Sequence, residues 1–326
     1  MKSSLRSHVR RGVTALDVVV AGAILAIGCC LLFPALHEQR QLADLNVCQE
    51  NLQSLSKAFQ KFEQKQGGFP ARRTGGFGNT PYGGWGVQLL AHLDEKLNSE
   101  FHHDYDYFDE INKKVVETKI KTFICPAAPR DRSLLIRSNA SAASANPNKD
   151  QLFEANCGPN DYISSNGFFM PSTGYGVGWP DGLGNQRQAM TDSEVAPLTR
   201  ITDGLSNTIL IVEKAGSPAT YRLGKQTDAN NLFNGQNNSR GVWAGYGSIA
   251  WGPMNGKTGE RPARGDSTDC TVNCNNTFGI YGFHEKGANI LLCDGAVRFV
   301  TNKLDGLTLG RLTMRDDGQL LSDDAF

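Results

Sequence analysis

The first part of the chain is a long apolar run that continues directly into an amphipathic pattern. Residues 13–36 read VTALDVVVAGAILAIGCCLLFPAL, and Asp17 carries the single charge in the run. A helix of this length spans about 36 Å, which is enough to cross a bilayer once. From residue 42 onward, apolar residues recur at intervals of three and four, which predicts a helix with one buried face. These residues are Leu42, Leu45, Cys48, Leu52, Leu55, Phe59 and Phe62.

Gly67-Gly68 is expected to end this helix, because glycine favours the conformation that follows a helix C-terminus. The pattern beyond it is one of short elements. Short helices are predicted over 85–97 and 109–120. Strands are predicted from 121 to a turn at 126, over 161–167 and over 208–213.

The end of the chain predicts a β-hairpin. Residues 287–293 (GANILLC) and 296–301 (AVRFVT) are rich in strand-forming residues, and only Asp294-Gly295 separates them. An Asp-Gly pair suits the positive φ that a type I′ turn requires at both of its central positions. We therefore expect a tight two-residue turn here.

The distribution of charge predicts an orientation in the membrane. The chain has 33 basic and 33 acidic residues, so no overall charge attracts nucleic acid. Lys2, Arg6, Arg10 and Arg11 precede the apolar run with no acid among them. By the positive-inside rule this end stays in the cytoplasm. We therefore predict a single-pass inner-membrane protein whose domain, residues 67–326, is periplasmic or on the cell surface.

Six of the eight cysteines fall in the part predicted to be exported, where an oxidising compartment permits disulfides. Six cysteines allow many connectivities, and the sequence does not choose among them. Our expectation is that Cys270 pairs with Cys274 and that Cys48 pairs with Cys125.

Arg10-Arg11-Gly12, followed by residues 13–17 and the apolar helix, resembles the leader of type IV prepilins and type II secretion pseudopilins. The resemblance implies that a prepilin peptidase removes residues 1–12 by cutting after Gly12 and that the new amine of Val13 is methylated. It also implies that Asp17 pairs with the amine of a neighbouring subunit. In lipid such a pair offsets the desolvation cost of both charges. Val13 and Asp17 differ from the phenylalanine or methionine and the glutamate usual in that leader.

Several further motifs resemble one family, the DUF1559 proteins, which are pilin-like proteins abundant in planctomycete bacteria. The motifs are CQENL from Cys48, FICP up to Pro126, ITDGLSNT from Ile201, and His284 followed after nine residues by Asp294-Gly295. The resemblance implies an α+β, type IV pilin-like fold. In this fold a long helix over residues 13–66 packs its second half on an antiparallel sheet of a large β-rich domain.

The signature residues His284 and Asp294 invite a catalytic or metal-binding interpretation. The alternative is structural: Asp294 makes the turn, and His284 bonds a backbone group that fixes the hairpin. We favour the structural alternative, because the sequence names no nucleophile within reach of His284.

Two metal sites are weighed against simpler roles. One is a Cys3His zinc set made of Cys270, Cys274, His284 and Cys293. Only the spacing of the first pair of cysteines suits a zinc site. For that pair a disulfide is favoured. Asp266 and Asp269, or the run HHDYD from His102, could offer oxygen ligands to Ca²⁺, although acidic loops are commonly just solvated. We predict no cofactor and no metal.

The chain contains no Gly-x-Ser-x-Gly, Walker loop or His-Glu-x-x-His motif, so nothing favours an enzyme. We predict a pilin-like or pseudopilin-like subunit, with the prepilin peptidase, other pilin-like subunits and the inner membrane as partners. One alternative is a single-pass protein that displays a binding domain. Another is a membrane-tethered metallohydrolase that uses His284 and Asp294.

Overall fold

The computed structural model describes residues 15–75, 80–139, 152–170, 187–228, 240–263, 265–319 and 321, with backbone only at 25–35, 138–139 and 152. The chain divides into two compact units, residues 1–43 and residues 44–326. Helix α1, Ala15–Gln66, begins in the first unit and ends in the second. In the described part of the chain, no helix combines the length and the apolar character needed to cross a bilayer.

The second part of α1 presents the predicted apolar face. Cys48, Leu52, Leu55, Phe59 and Phe62 are buried, which confirms the stripe from Cys48 onward. The predicted end of the helix is also confirmed, because α1 stops at Gln66 and is followed by a glycine with φ +82°. The stripe does not extend as far back as predicted: the side chain of Leu42 is 61% exposed.

A five-stranded sheet forms the centre of the second unit. Its strands are β5 Tyr162–Phe168, β6 Ile209–Glu213, β9 Ser248–Trp251, β10 Gly287–Leu292 and β11 Val297–Thr301. They lie in the order β11-β10-β6-β5-β9, and neighbouring strands are antiparallel except β5 and β9, which are parallel. The predicted antiparallel sheet is therefore wrong at this edge, where a long connection lets β9 run in the same direction as β5.

Each face of this sheet is covered by a helix. The second part of α1 shares one core cluster with Tyr162, Leu210 and Leu291. Helix α5, Gly306–Thr313, shares the other cluster with Ile163 and Ile290. Along β10, residues 288, 290 and 292 belong to the cluster of α5, whereas residue 291, and Cys293 just after the strand, belong to the cluster of α1. This alternation is the period of two that a strand buried on both faces requires.

Smaller elements surround the sheet. The predicted helix over 85–97 divides into two helices because Asp94 has an extended backbone and its side chain accepts a hydrogen bond from the N–H of Leu97. The predicted strand from 121 is wrong: Lys121–Phe123 forms a 3₁₀ turn. The helices are α2 Trp85–Leu93, α3 Glu95–Glu100 and α4 Lys113–Val116, and the paired strands are β1 Arg73–Thr74 with β2 Gly83–Gly84, β3 Leu134–Asn139 with β4 Leu152–Cys157, and β7 Thr220–Arg222 with β8 Lys225–Asp228.

Candidate functional site

His284 lies just before β10 and takes part in a buried group of side chains. Its Nε2 is 3.2 Å from Oε1 of Glu213 and 3.5 Å from Sγ of Cys125. Cys125 is bonded to Cys48 of α1 in one of the two predicted disulfides. We call these four residues, Cys48, Cys125, Glu213 and His284, the histidine cluster. In the described part of the chain they alone form a group of three or more potential metal ligands, with ligand atoms within 4.8 Å of one another.

Hydrogen bonds hold one side of the Glu213 carboxylate. Glu213 ends β6 and is fully buried. Its Oε2 accepts hydrogen bonds from the backbone N–H of Asn289, at 2.9 Å, and from Nδ2 of Asn289, at 3.0 Å. Oδ1 of Asn289 accepts in turn from Nε2 of Gln49, on α1. No described group donates a hydrogen bond to Oε1 of Glu213, although His284 lies at ion-pair distance.

Tyr162 closes the cluster on the side of β5. Its hydroxyl donates a hydrogen bond to the backbone oxygen of Cys48, at 3.3 Å. Burial, and next the negative charge of Glu213, raise the pKa of Tyr162 well above its ordinary value. The hydroxyl therefore stays protonated and remains a donor to α1.

Asp294 and Gly295 form the turn at the other end of β10, but not the predicted type. The N–H of Gly295 donates to the oxygen of Leu292, and the N–H of Leu292 donates to the oxygen of Ala296. Gly295 has φ +93°, whereas Asp294 has a negative φ. The connection is therefore a three-residue loop with glycine in the left-handed region, and the predicted type I′ turn is wrong. The hairpin itself is confirmed.

The signature residues therefore attach both ends of β10 to α1. His284 reaches the disulfide of Cys48, and the turn at Gly295 lies against Ser56 and Gln60. Residues 48 and 60 are about 18 Å apart along a helix, close to the length of β10, about 17 Å. His284 and Asp294 lie at opposite ends of the strand and do not share a site. His284 fixes the hairpin through side chains of other elements, and not through the predicted backbone bond.

We expect Gly295→Ala to lower the free energy of unfolding by about 2 kcal/mol or more. A side chain there must adopt φ +93°, and its Cβ would lie 2.7 Å from Oγ of Ser56. The matched control is Gly67→Ala, since Gly67 has φ +82° but nothing within 4 Å of an added Cβ. Urea unfolding of both variants measures the difference. Equal losses would show that the contact with α1 adds nothing to the backbone strain.

The Cys3His set that was weighed from the sequence does not come together in the structure. Cys270 and Cys274 form the second predicted disulfide. Cys293 is a buried free thiol directly after the C-terminal end of β10. Burial raises the pKa of this thiol well above its ordinary value. His284 belongs to the histidine cluster instead. The expectation of a disulfide at Cys270 and Cys274 is confirmed, and the zinc alternative is wrong for these four residues.

The candidate calcium ligands order their own loop. Oδ1 of Asp269 accepts a hydrogen bond from the N–H of Gly256, and Oδ2 of Asp266 accepts from the N–H of Ala263. In the other candidate run, Oδ1 of Asp106 accepts from the N–H of Tyr82. These carboxylates have a role in backbone structure without a cation.

The residues of the predicted assembly site lie at the start of the chain. Gly12 and Val13 are outside the described residues. Asp17 is in the first turn of α1 and is exposed. Large apolar side chains around it are also exposed, between 49% and 71% of their surface. They are Leu16, Val18, Val19, Val20 and Ile24.

The sequence profile of a family described as a protein of unknown function (DUF1559) matches residues 40–307. The chain belongs to the DUF1559 family. No curated protein and no solved structure matches it. The DUF1559 match contains the whole histidine cluster and the Gly295 turn, and it begins after Asp17.

One member of the cluster, Glu213, is absent from the sequence prediction for this DUF1559 protein. The signal that could have found it is the acid at the end of the apolar strand ILIVE, all of whose residues are buried. Asn289 is a similar polar residue within the buried strand GANILL. A polar residue in a strand buried on both faces needs a partner, and these two residues are partners of each other.

Proposed function

We propose that this DUF1559 protein is a pilin-like structural subunit. It would reside in the inner membrane, be cleaved by a prepilin peptidase after Gly12, and join other pilin-like subunits in a type II secretion or type IV pilus-like filament. The observation that carries the proposal is the exposed apolar surface at the start of α1.

The arrangement of this surface favours several neighbours over one. Successive residues of a helix are about 100° apart, so Val18, Val19 and Val20 point in three directions. Leu16 and Ile24 extend the same surface along the axis, and all five side chains are exposed. A helix that is apolar on every side is buried on every side in its working state. Parallel helices of other subunits provide such surroundings in a bundle.

Asp17 provides a polar contact that would set the register between these helices. It is exposed in the first turn of α1, among apolar side chains. After cleavage the amine of Val13 would lie four residues before Asp17 in the sequence and be available to a neighbouring subunit. A carboxylate surrounded by apolar helices is costly without a cation, so pairing with that amine favours one axial step between subunits.

The rest of α1 explains how such a filament would carry the domain. From Cys48 onward one face of the helix is buried in the second unit, and the disulfide with Cys125 joins the two. The domain is therefore attached to residues 48–66 of α1. In a filament the domains would form the outer layer.

We expect Asp17→Ala to reduce incorporation into filaments at least about tenfold, since an ion pair worth 1.4 kcal/mol or more is lost at each step. The control is Glu38→Ala, which removes an exposed acid of α1 outside the apolar run and leaves incorporation unchanged. The measurement is the fraction of the protein sheared from cells that produce a prepilin peptidase. The melting temperature of the domain should not change. Equal incorporation of Asp17→Ala and wild type would contradict the proposal and favour the display protein.

A further inference from the structure

The histidine cluster brings together a ligand set that the sequence spacing does not reveal. It contains two sulfurs, one imidazole nitrogen and one carboxylate oxygen, and all four residues are buried. Structural zinc sites take four ligands of these kinds in a tetrahedron. The ligand atoms lie within 4.8 Å of one another. With metal–ligand bonds of about 2.0 to 2.3 Å, neighbouring ligands of zinc are about 3.4 to 3.8 Å apart.

The distances from Nε2 of His284 to its neighbours are close to those between zinc ligands. Its Nε2 lies 3.2 Å from Oε1 of Glu213 and 3.5 Å from Sγ of Cys125. The two sulfurs are an exception, because the disulfide bond holds them together. Reduction would remove this bond and let the sulfurs separate to the distance that a metal requires.

Glu213 gives an independent indication that a cation fits here. Oε1 is buried, accepts no hydrogen bond from a described residue, and is the carboxylate oxygen that faces His284. Oε2 is already held by two hydrogen bonds from Asn289, and Asn289 is held by Gln49. Carboxylate ligands of metals are commonly held by such a second hydrogen-bond partner. The cluster therefore has one oriented oxygen with an unused acceptor site.

We propose that the reduced protein binds one Zn²⁺ ion through the thiolates of Cys48 and Cys125, Nε2 of His284 and the carboxylate of Glu213. The disulfide and the metal site are then alternative states of one cluster. The inference is independent of filament assembly, since the four residues lie in the second unit.

A dithiol can serve as the reductant that converts the disulfide into the metal site. Two electrons and two protons pass from the dithiol to the disulfide, which gives the thiols of Cys48 and Cys125 and leaves the dithiol as its own disulfide. Zn²⁺ then displaces the two thiol protons, which go to solvent. Both cysteines are fully buried in the oxidised form. A reductant can therefore reach the disulfide only after a local opening, either at the start of β10 or around Cys48 on α1.

The test uses the full chain with Cys270→Ser and Cys274→Ser, so that the cluster disulfide alone of the two described disulfides remains to be reduced. The protein is reduced with a water-soluble phosphine under anaerobic conditions. Co²⁺ is then added as a spectroscopic substitute for Zn²⁺. We expect one Co²⁺ per chain, with sulfur-to-metal charge-transfer bands and the visible bands of a tetrahedral site, and displacement of Co²⁺ by Zn²⁺ with two protons released. The oxidised protein should show no such bands, although Cys157 and Cys293 are free in it.

Two matched variants identify the ligand. Glu213→Gln should weaken Co²⁺ binding at least about tenfold, whereas Glu285→Gln, the same change at an exposed residue next to His284, should leave it unchanged. Circular dichroism monitors the fold, so a reduced chain that unfolds must regain its signal with one equivalent of Zn²⁺. Absence of the sulfur bands, equal binding by the two variants, or an unfolded chain that Zn²⁺ does not restore would each overturn the proposal.

Discussion

Replacing Asp161 with alanine is expected to lower the free energy of unfolding by about 3–5 kcal/mol. The Asp161 carboxylate is fully buried and accepts hydrogen bonds from Arg132 at 2.9 and 2.6 Å. It also accepts from the backbone N–H groups of Cys125 and Gly216. The variant leaves the guanidinium of Arg132 buried without its counterion, which costs far more than the loss of an exposed pair. Urea unfolding followed by circular dichroism measures the change.

The control for this prediction is Glu154→Ala. Glu154 pairs with Arg137 through two hydrogen bonds, at 2.7 and 3.3 Å, but both side chains are about half exposed. Such pairs contribute little to the free energy of unfolding, because water and salt screen them. A loss for Asp161→Ala as small as that for Glu154→Ala would show that water reaches the Arg132 pair.

The second large effect concerns the disulfides. Cys48 and Cys125 are separated by 77 residues, and Cys270 and Cys274 by 4. If a disulfide acts by restricting the unfolded chain, removal costs about 4.5 kcal/mol for the long loop and about 2 kcal/mol for the short one. We therefore expect Cys48→Ala with Cys125→Ala to lower the melting temperature about twice as much as Cys270→Ala with Cys274→Ala. Calorimetry under oxidising conditions compares the two double variants.

An equal or reversed order would contradict the expectation from loop length. It would mean that the short disulfide also stabilises the folded state. The part it would stabilise is the loop closed by the two backbone hydrogen bonds between Met254 and Cys270. The variant without Cys48 and Cys125 also measures the effect of the disulfide apart from the rest of the histidine cluster, because Glu213 and His284 stay in place.

The sequence predicted those features whose signal is local and periodic. The apolar positions of α1 repeat with the helical period, and from Cys48 to Phe62 they are buried as expected. Strands β5, β6, β10 and β11 lie where strand-forming residues are concentrated. The long helix and the hairpin could therefore be predicted without coordinates. The two disulfides formed as expected, although the sequence itself does not choose among the pairings that six cysteines allow.

The features that were missed depend on residues far apart in the chain. The parallel pairing of β5 with β9 joins Ser164 to Ser248, and no local pattern encodes it. The turn that replaces the predicted strand places Phe123 in the core, where its backbone oxygen accepts from the N–H of Asp161. Glu213 becomes a site residue only because β6 pairs with β10 and thereby meets Asn289. Tertiary contacts decide each of these cases.

The attachment of β10 at both ends has a consequence for the length of the signature motif. In a strand with a free end, an extra residue can bulge into solvent. Here a residue inserted within β10 would rotate Ile290 and Leu291 to opposite sides of the sheet, or detach one end of the strand from α1. A loop cannot absorb either change, so the six residues of β10 are the fixed part of the spacing between His284 and Asp294.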